Sequence, residues 1–182
     1  MTSPAAAQVL ALLDARTPTL GALRLICIDG PAGAGKTTLA GEIAAERGLA
    51  TLHLDDLYPG WKGLDDFEPA VEAVLDDLAA GRSSSYARYD WYAETYLGRV
   101  GVPADRDLIL EGVGAGNEAL AAHATVLVWV EAPPKVCDAR WLARDGELMT
   151  THARAWRQAE ARLFARERTR DRADLVVVSL VE

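Results

Sequence analysis

The sequence predicts a three-layer α/β domain, a five-stranded parallel sheet with helices on both faces. Three observations predict it. Five short apolar runs recur along the 182 residues, at 24–28, 50–54, 108–110, 125–130 and 175–178. Helical periodicity fills much of the chain between them, and strands that alternate with helices build parallel sheets covered on both sides. The run from Thr125 to Val130 is apolar without alternation, as in a strand buried on both faces.

The elements follow in order. Ala5 to Ala15 reads as an accessory helix ahead of the alternation. Arg24 to Ile28 is the first strand and ends at Asp29-Gly30. Gly35 to Arg47 is a helix with Leu39, Ile43 and Ala44 on one face, closed by Gly48. Ala50 to Leu54 is the second strand. Glu68 to Ala80 is a helix carrying Val71, Val74, Leu75 and Leu78, stopped by Gly81. Leu108 to Leu110 is the third strand and ends at Glu111-Gly112. After the strand at 125–130, Pro133-Pro134 opens a helix to about Arg144, since proline suits a first turn. A longer helix runs from Thr151 to about Arg168, with Trp156, Ala159 and Leu163 on one side, and Leu175 to Val178 is the last strand. No repeat or linker divides the chain, so one domain over 1–182 is expected.

Composition narrows the class. Half of the residues are hydrophobic and a quarter charged, which is globular. A net charge of −8 disfavours a general grip on nucleic acid, which needs cationic surface. No apolar stretch approaches the length of a membrane span. The Ala-rich start lacks the basic and apolar regions of a signal peptide, so a cytoplasmic protein is expected. Cys27 and Cys137 read as buried thiols. His53, His123 and His152 stand apart in sequence and read as structural or surface residues. Nine arginines lie between Arg140 and Arg172, either a solvated helix face or a cationic cover over an anionic ligand.

The most specific signal is Gly30-Pro31-Ala32-Gly33-Ala34-Gly35-Lys36-Thr37, a match to G-x-x-x-x-G-K-[ST] between a strand and a helix. Such a loop curls so that its N–H groups face phosphate oxygens, aided by the positive end of the helix. Lys36 is expected on the β- and γ-phosphates and the Thr37 hydroxyl on Mg²⁺. With Thr38 these residues form the predicted ATP site, and the fold class becomes the P-loop NTPase fold.

Ligands of parallel sheets bind beyond the carboxyl ends of the strands. Asp55, Asp56 and Glu111 fall there. Glu111 closes Asp107-Leu108-Ile109-Leu110-Glu111, an apolar run ending in an acid, and is assigned to the metal. Asp55 is the candidate general base; Asp56 could share that role, hold metal or cap the next turn.

These segments resemble, in the same order, the uridine kinase-like branch of P-loop kinases, which includes phosphoribulokinase and bacterial pantothenate kinases. After the loop, Leu54-Asp55-Asp56-Leu57-Tyr58 is similar to the family's D-[SD]-F-Y strand end. Tyr89-Asp90-Trp91 is similar to its Y-D-F segment, and Leu110-Glu111-Gly112 to its F-E-G strand end. Arg140-Trp141-Leu142-Ala143-Arg144-Asp145 resembles the R-x-x-x-R-D lid helix, and Ala173-Asp174-Leu175-Val176-Val177 the last strand. The resemblance covers about residues 23 to 178. It implies that Asp55 takes the proton of an acceptor hydroxyl, that Tyr58, Tyr89, Asp90 and Trp91 contact the acceptor, and that a lid spans about 140–157. Against the family pattern, the nucleoside-binding hairpin is shortened to Pro59-Gly60-Trp61-Lys62-Gly63. The loop also resembles that of bacterial cytidylate kinases through Ile28-Asp29-Gly30-Pro31, although their G-R-D-x-G-T segment is missing.

Arg140 and Arg144 are four apart and share a helix face, suited to the charge that develops during phosphoryl transfer. Arg154 and Arg157 could join them. Tyr58, Trp61, Tyr89 and Trp91 could stack on a ring or belong to the core, whereas Trp129 reads as core. The expectation is an ATP- and Mg²⁺-dependent kinase acting on a small hydroxylated molecule, with uridine or cytidine as the leading acceptor. A nucleoside monophosphate kinase is the alternative within kinases, and a regulatory ATPase with a protein partner the alternative outside them.

Overall fold

The computed structural model describes residues 2–179, with only the backbone of 147–149. Residue 1 and residues 180–182, the ends of the expected domain, lie outside the described residues.

Five strands form the main sheet: β1 (Leu25–Asp29), β2 (Ala50–His53), β5 (Leu108–Glu111), β6 (Val126–Glu131) and β7 (Leu175–Val178). Their order is β2-β5-β1-β6-β7 and every pairing is parallel. The five apolar runs of the sequence are these five strands. Successive side chains of a strand point to opposite faces, and β1 shows the consequence. Leu25 and Cys27 join one core with Leu52, Leu108, Leu110 and Leu127. Ile26 and Ile28 join the other with Ile109, Val126, Val128 and Val130. Two apolar faces need two covers. Helices α1 (Pro4–Asp14) and α2 (Lys36–Arg47) supply one, through Val9, Leu10, Leu13, Leu39 and Ile43. Helix α3 (Glu68–Ala79), with Val71, Val74, Leu75 and Leu78, leads the other.

The first helix starts at a Ser3 cap whose hydroxyl accepts from the Ala6 N–H at 3.3 Å and donates to Glu42 of α2. Ser3→Ala is expected to lower stability by about 1 kcal/mol, read as a shift of the thermal midpoint by roughly 2–4 °C.

Two features depart from expectation. Pro59–Gly63 is a tight turn leading into a single 3-10 turn (Gly63–Asp65), not a hairpin. The hairpin lies later, as β3 (Ser84–Asp90) paired antiparallel with β4 (Thr95–Val102). The sequence concealed it because only Tyr86 and Val102 of the two strands are fully buried, which leaves little apolar alternation to read. The second is one of spacing only: after the short helix α4 (Glu118–Ala121), α5 (Pro134–Glu167) is the two expected helices joined at a kink with no loop between them. They meet at Gly146, whose φ of 57° and ψ of −133° lie outside the helical region, a conformation open chiefly to glycine. A final turn, α6 (Thr169–Arg172), leads to β7.

Candidate active site

A cleft of about 450 Å³ opens at the carboxyl ends of β1, β2 and β5, the end where parallel sheets bind ligands. One side is the loop between β1 and α2. Ala32, Gly33, Gly35, Lys36, Thr37 and Thr38 line it. Gly30, Pro31 and Ala34, expected among the nucleotide contacts, do not line it; they shape the loop. A Cβ on Gly30, where φ is +142°, would stand 2.0 Å from the Val130 carbonyl oxygen. The Ala34 N–H closes a turn onto the Pro31 carbonyl at 3.0 Å. The Lys36 ammonium is held over the loop by the carbonyls of Gly30 (2.8 Å) and Pro31 (3.0 Å).

Beneath the loop lies a residue that the sequence did not single out. Asp29 is fully buried, and its carboxylate accepts the N–H groups of Gly30 (2.7 Å), Gly114 (2.8 Å) and Gly116 (3.0 Å). It fastens the end of β1 to the segment that follows β5. Burial pushes its carboxyl up to about 6, against the three amides, which favour the anion. Position alone could have flagged it, as an acid at the end of an apolar strand and next to the glycine loop.

The expected metal residues meet. The Thr37 hydroxyl lies 3.2 and 3.3 Å from the two Glu111 carboxylate oxygens. Hydroxyl and carboxylate are hard oxygen donors, and Mg²⁺ takes few protein ligands, keeping waters and substrate phosphates for the rest. The pair fits that ion. His53, read from sequence as isolated, places Nδ1 2.6 Å from Glu111 Oε1. That contact draws the imidazole pKa upward and orients the carboxylate. The pairing is set by register, since His53 and Glu111 are neighbours across the β2–β5 ladder.

Asp55 lies in a 3-10 turn just past β2 and lines the cleft with Asp56. Desolvation raises its pKa, opposed by Arg144, whose guanidinium is 3.8 Å away. Asp56 is engaged by the Tyr86 hydroxyl at 3.0 Å. Arg140 and Arg144, on the first half of α5, both line the cleft. Arg140 donates to Ser179 at 3.0 Å beside Gly35, and Arg144 forks onto Asp145 at 2.7 and 2.8 Å. Arg157 is turned elsewhere, to Ala32, Asp138 and Glu160.

The far wall is aromatic. Trp61, Trp91, Tyr92, Trp141 and Trp156 line it. Trp91 donates its indole N–H to the Asp55 carbonyl at 2.8 Å, and Trp141 donates to Asp145 at 2.7 Å. His152 stacks on Trp61 at 4.6 Å between ring centroids. The indole N–H groups of Trp61 and Trp156 are buried without a partner among the described residues. Trp141 and Trp156 went unrecognised as site residues, because tryptophan on a helix face reads equally as core.

Three expected acceptor contacts are placed differently. Tyr58 is fully buried, donates to the Val113 carbonyl at 2.7 Å, and packs edgewise behind Trp91 and Trp156. Tyr89 stands outside the cleft between Trp91 and Tyr96. Asp90 accepts the N–H groups of Tyr92 (2.9 Å) and Ala93 (2.8 Å) and so shapes the hairpin turn. Of the Tyr89-Asp90-Trp91 segment, Trp91 alone reaches the cleft.

No family model matches the chain. A cytidylate kinase from Oleidesulfovibrio alaskensis is 31% identical over 109 residues, 59% of this chain. That match spans only about half of the relative's length, 49%. Two solved structures resemble the fold over most of both chains. A possible uridine kinase from Bacillus stearothermophilus matches with a TM-score of 0.61 at 19% identity, over 85% of this chain and 88% of its own. A chain described as a fructose transport system kinase, from Silicibacter sp. TM1040, matches with 0.62 at 23% identity, over 97% and 98%. The sheet order, the loop ahead of α2 and these likenesses together give the chain the three-layer α/β fold of the P-loop kinases.

Proposed function

We propose that the protein transfers the γ-phosphate of ATP to a hydroxyl of a small, ring-bearing molecule without an anionic group, with a nucleoside such as uridine or cytidine as the leading acceptor. The observation that carries this reading is the single cleft in which Lys36, Thr37 and Glu111 lie at one end and Asp55 stands against an aromatic wall. ATP would supply the phosphoryl group, and Mg²⁺ would offset the charge on its oxygens. Loop amides and Lys36 hold the phosphates, while Thr37 and Glu111 hold the metal. Asp55 accepts the proton of the attacking hydroxyl. Arg140 and Arg144, on a lid formed by the first half of α5, offset the charge of the transferring group.

Charge supports the uncharged acceptor. Three cations (Lys36, Arg140, Arg144) and four carboxylates (Asp55, Asp56, Glu111, Asp145) line the cleft. Bound Mg·ATP makes the balance more negative, and Arg140 stands by the loop, where the nucleotide phosphates belong. A phosphate or carboxylate on the acceptor would meet Asp55 and Asp56 on the base side, where Arg144 is already engaged by Asp55 at 3.8 Å and by Asp145 at 2.7 Å. Tryptophan faces suit a flat ring. The second reading, a nucleoside monophosphate kinase, draws on the identity with a cytidylate kinase.

The test is ADP release from Mg·ATP against uridine, cytidine, CMP, UMP, pantothenate and sugar phosphates. Stimulation by a nucleoside but not by its monophosphate is the expected result. Stimulation by CMP selects the second reading, and slow release indifferent to every acceptor selects a regulatory ATPase.

A further inference from the structure

We propose that Arg157 and Glu160 are positioning residues that hold the phosphate loop in its nucleotide-ready shape and tie it to the helix half bearing Arg140 and Arg144. The inference rests on the ATP-binding reading above, but concerns residues outside the loop motif and its metal ligands.

At Ala32 the loop backbone is gripped on both sides by side chains of α5. The Ala32 N–H donates to Glu160 Oε1 at 2.7 Å, and the Ala32 carbonyl accepts from Arg157 Nη2 at 3.1 Å. The two side chains are joined to each other, Arg157 Nη1 to Glu160 Oε2 at 2.7 Å. They stand three residues apart on α5, one turn, so both reach the same point. The Ala32 N–H is thus spent on Glu160 and its carbonyl on Arg157, so both sides of this peptide position are fixed by α5.

The same guanidinium reaches across the Gly146 break. Arg157 donates to Asp138 Oδ1 through Nη2 at 2.8 Å and lies 4.8 Å above the Trp141 ring centroid. Asp138 and Trp141 flank Arg140 on the first half of α5. One cation thus contacts the loop, the helix half that carries the lid arginines, and the wall of the cleft. Gly33 is pressed onto that half as well, for a Cβ there would stand 2.2 Å from the Cys137 carbonyl oxygen.

Energetics argue against a purely stabilising pair. Glu160 is 4% exposed, and a buried ion pair gains little net stability over an apolar replacement, whereas it fixes geometry through its hydrogen bonds. The conformation fixed here is that of the loop itself. A loop freed from Ala32 would sample other shapes, and nucleotide would bind only the competent fraction, which weakens apparent affinity by that fraction.

The experiment measures the Kd of Mg·ADP and Mg·ATP by calorimetry for the wild type, Arg157→Ala, Glu160→Ala and Glu160→Gln, with thermal midpoints alongside. Glutamine keeps an oxygen for the Ala32 N–H. We expect Glu160→Ala and Arg157→Ala each to weaken nucleotide binding about 10- to 100-fold, a range set by the loop's lost preorganisation. Glu160→Gln, which keeps the Ala32 bond but turns an NH2 toward Arg157, should weaken binding less than Glu160→Ala, and the two alanine changes combined should weaken binding by less than the product of the single effects. Arg157 is partly exposed, so its alanine variant keeps the test open if Glu160→Ala does not fold. A folded Arg157→Ala protein with wild-type nucleotide affinity overturns the proposal, whatever its thermal midpoint. A wild-type protein that binds no nucleotide overturns instead the function on which it rests.

Discussion

Asp55→Asn is expected to lower kcat by roughly 10²- to 10⁴-fold, the usual contribution of a positioned general base. Mg·ATP affinity should stay within a few-fold, because none of the loop, Lys36, Thr37 or Glu111 depends on Asp55 for a hydrogen bond. The substitution keeps the shape of the side chain and removes its basicity together with the charge that faces Arg144. It leaves in place the Trp91 contact, which uses the Asp55 backbone carbonyl. The pH profile offers an independent reading. Desolvation places the Asp55 pKa above the ordinary carboxylate range, and Arg144 limits the rise. The base works as the anion, so kcat/KM should fall as pH drops through that raised pKa, and the limb should vanish in Asp55→Asn. Near-normal turnover of the variant would move the role to Asp56. That residue is the poorer candidate, because the Tyr86 hydroxyl already donates to one of its oxygens. Asp56→Asn, assayed beside it, should therefore have the smaller effect.

The place of Asp55 on the cleft was legible because three facts coincide in sequence: an apolar run, an acid at its end, and a phosphate loop on an earlier strand. The same logic located Glu111. Side chains whose role depends on a partner far along the chain were not legible. His53 acquires meaning only when β2 pairs with β5 and brings it to Glu111. Trp141 and Trp156 lie on the two halves of α5, and only the course of the helix past Gly146 puts both on the cleft. Tyr58 shows the converse. Its place after the acid pair resembles that of a ligand contact, yet the chain turns it inward onto Phe67 and the Val113 carbonyl. A spacing pattern fixes where the backbone goes but leaves open which face a ring chooses. The hairpin went unread for a different reason: its strands are mostly solvent-facing, so hydrophobic period, the main signal for a strand, is faint there.

Asp29→Ala is the substitution expected to cost the fold most, on the order of 3–5 kcal/mol, because it leaves three buried amides without their acceptor. At this chain length that corresponds to a fall in thermal midpoint of about 6–20 °C. The loss should extend to function, since the carboxylate joins the first residue of the phosphate loop to the segment after Glu111. Asp29→Asn tests the charge separately from the shape. In the unfolded chain an aspartate titrates at about 3.9, whereas burial places Asp29 at about 6 in the folded protein. The folded state therefore holds its proton more tightly. The contribution of that proton to stability is complete below the unfolded pKa and is lost as pH rises through the folded one. Other carboxylates run the opposite way; Arg16 contacts hold Asp174 below its ordinary range despite partial burial. The whole-protein profile mixes these effects, but the difference between wild type and Asp29→Asn isolates one. Denaturant midpoints taken from pH 4 to pH 7 should show the wild-type advantage shrinking, by about 3 kcal/mol at most for a two-unit displacement. A difference that instead grows with pH would mean that the three amides outweigh desolvation, and that Asp29 is held as an anion beneath the loop.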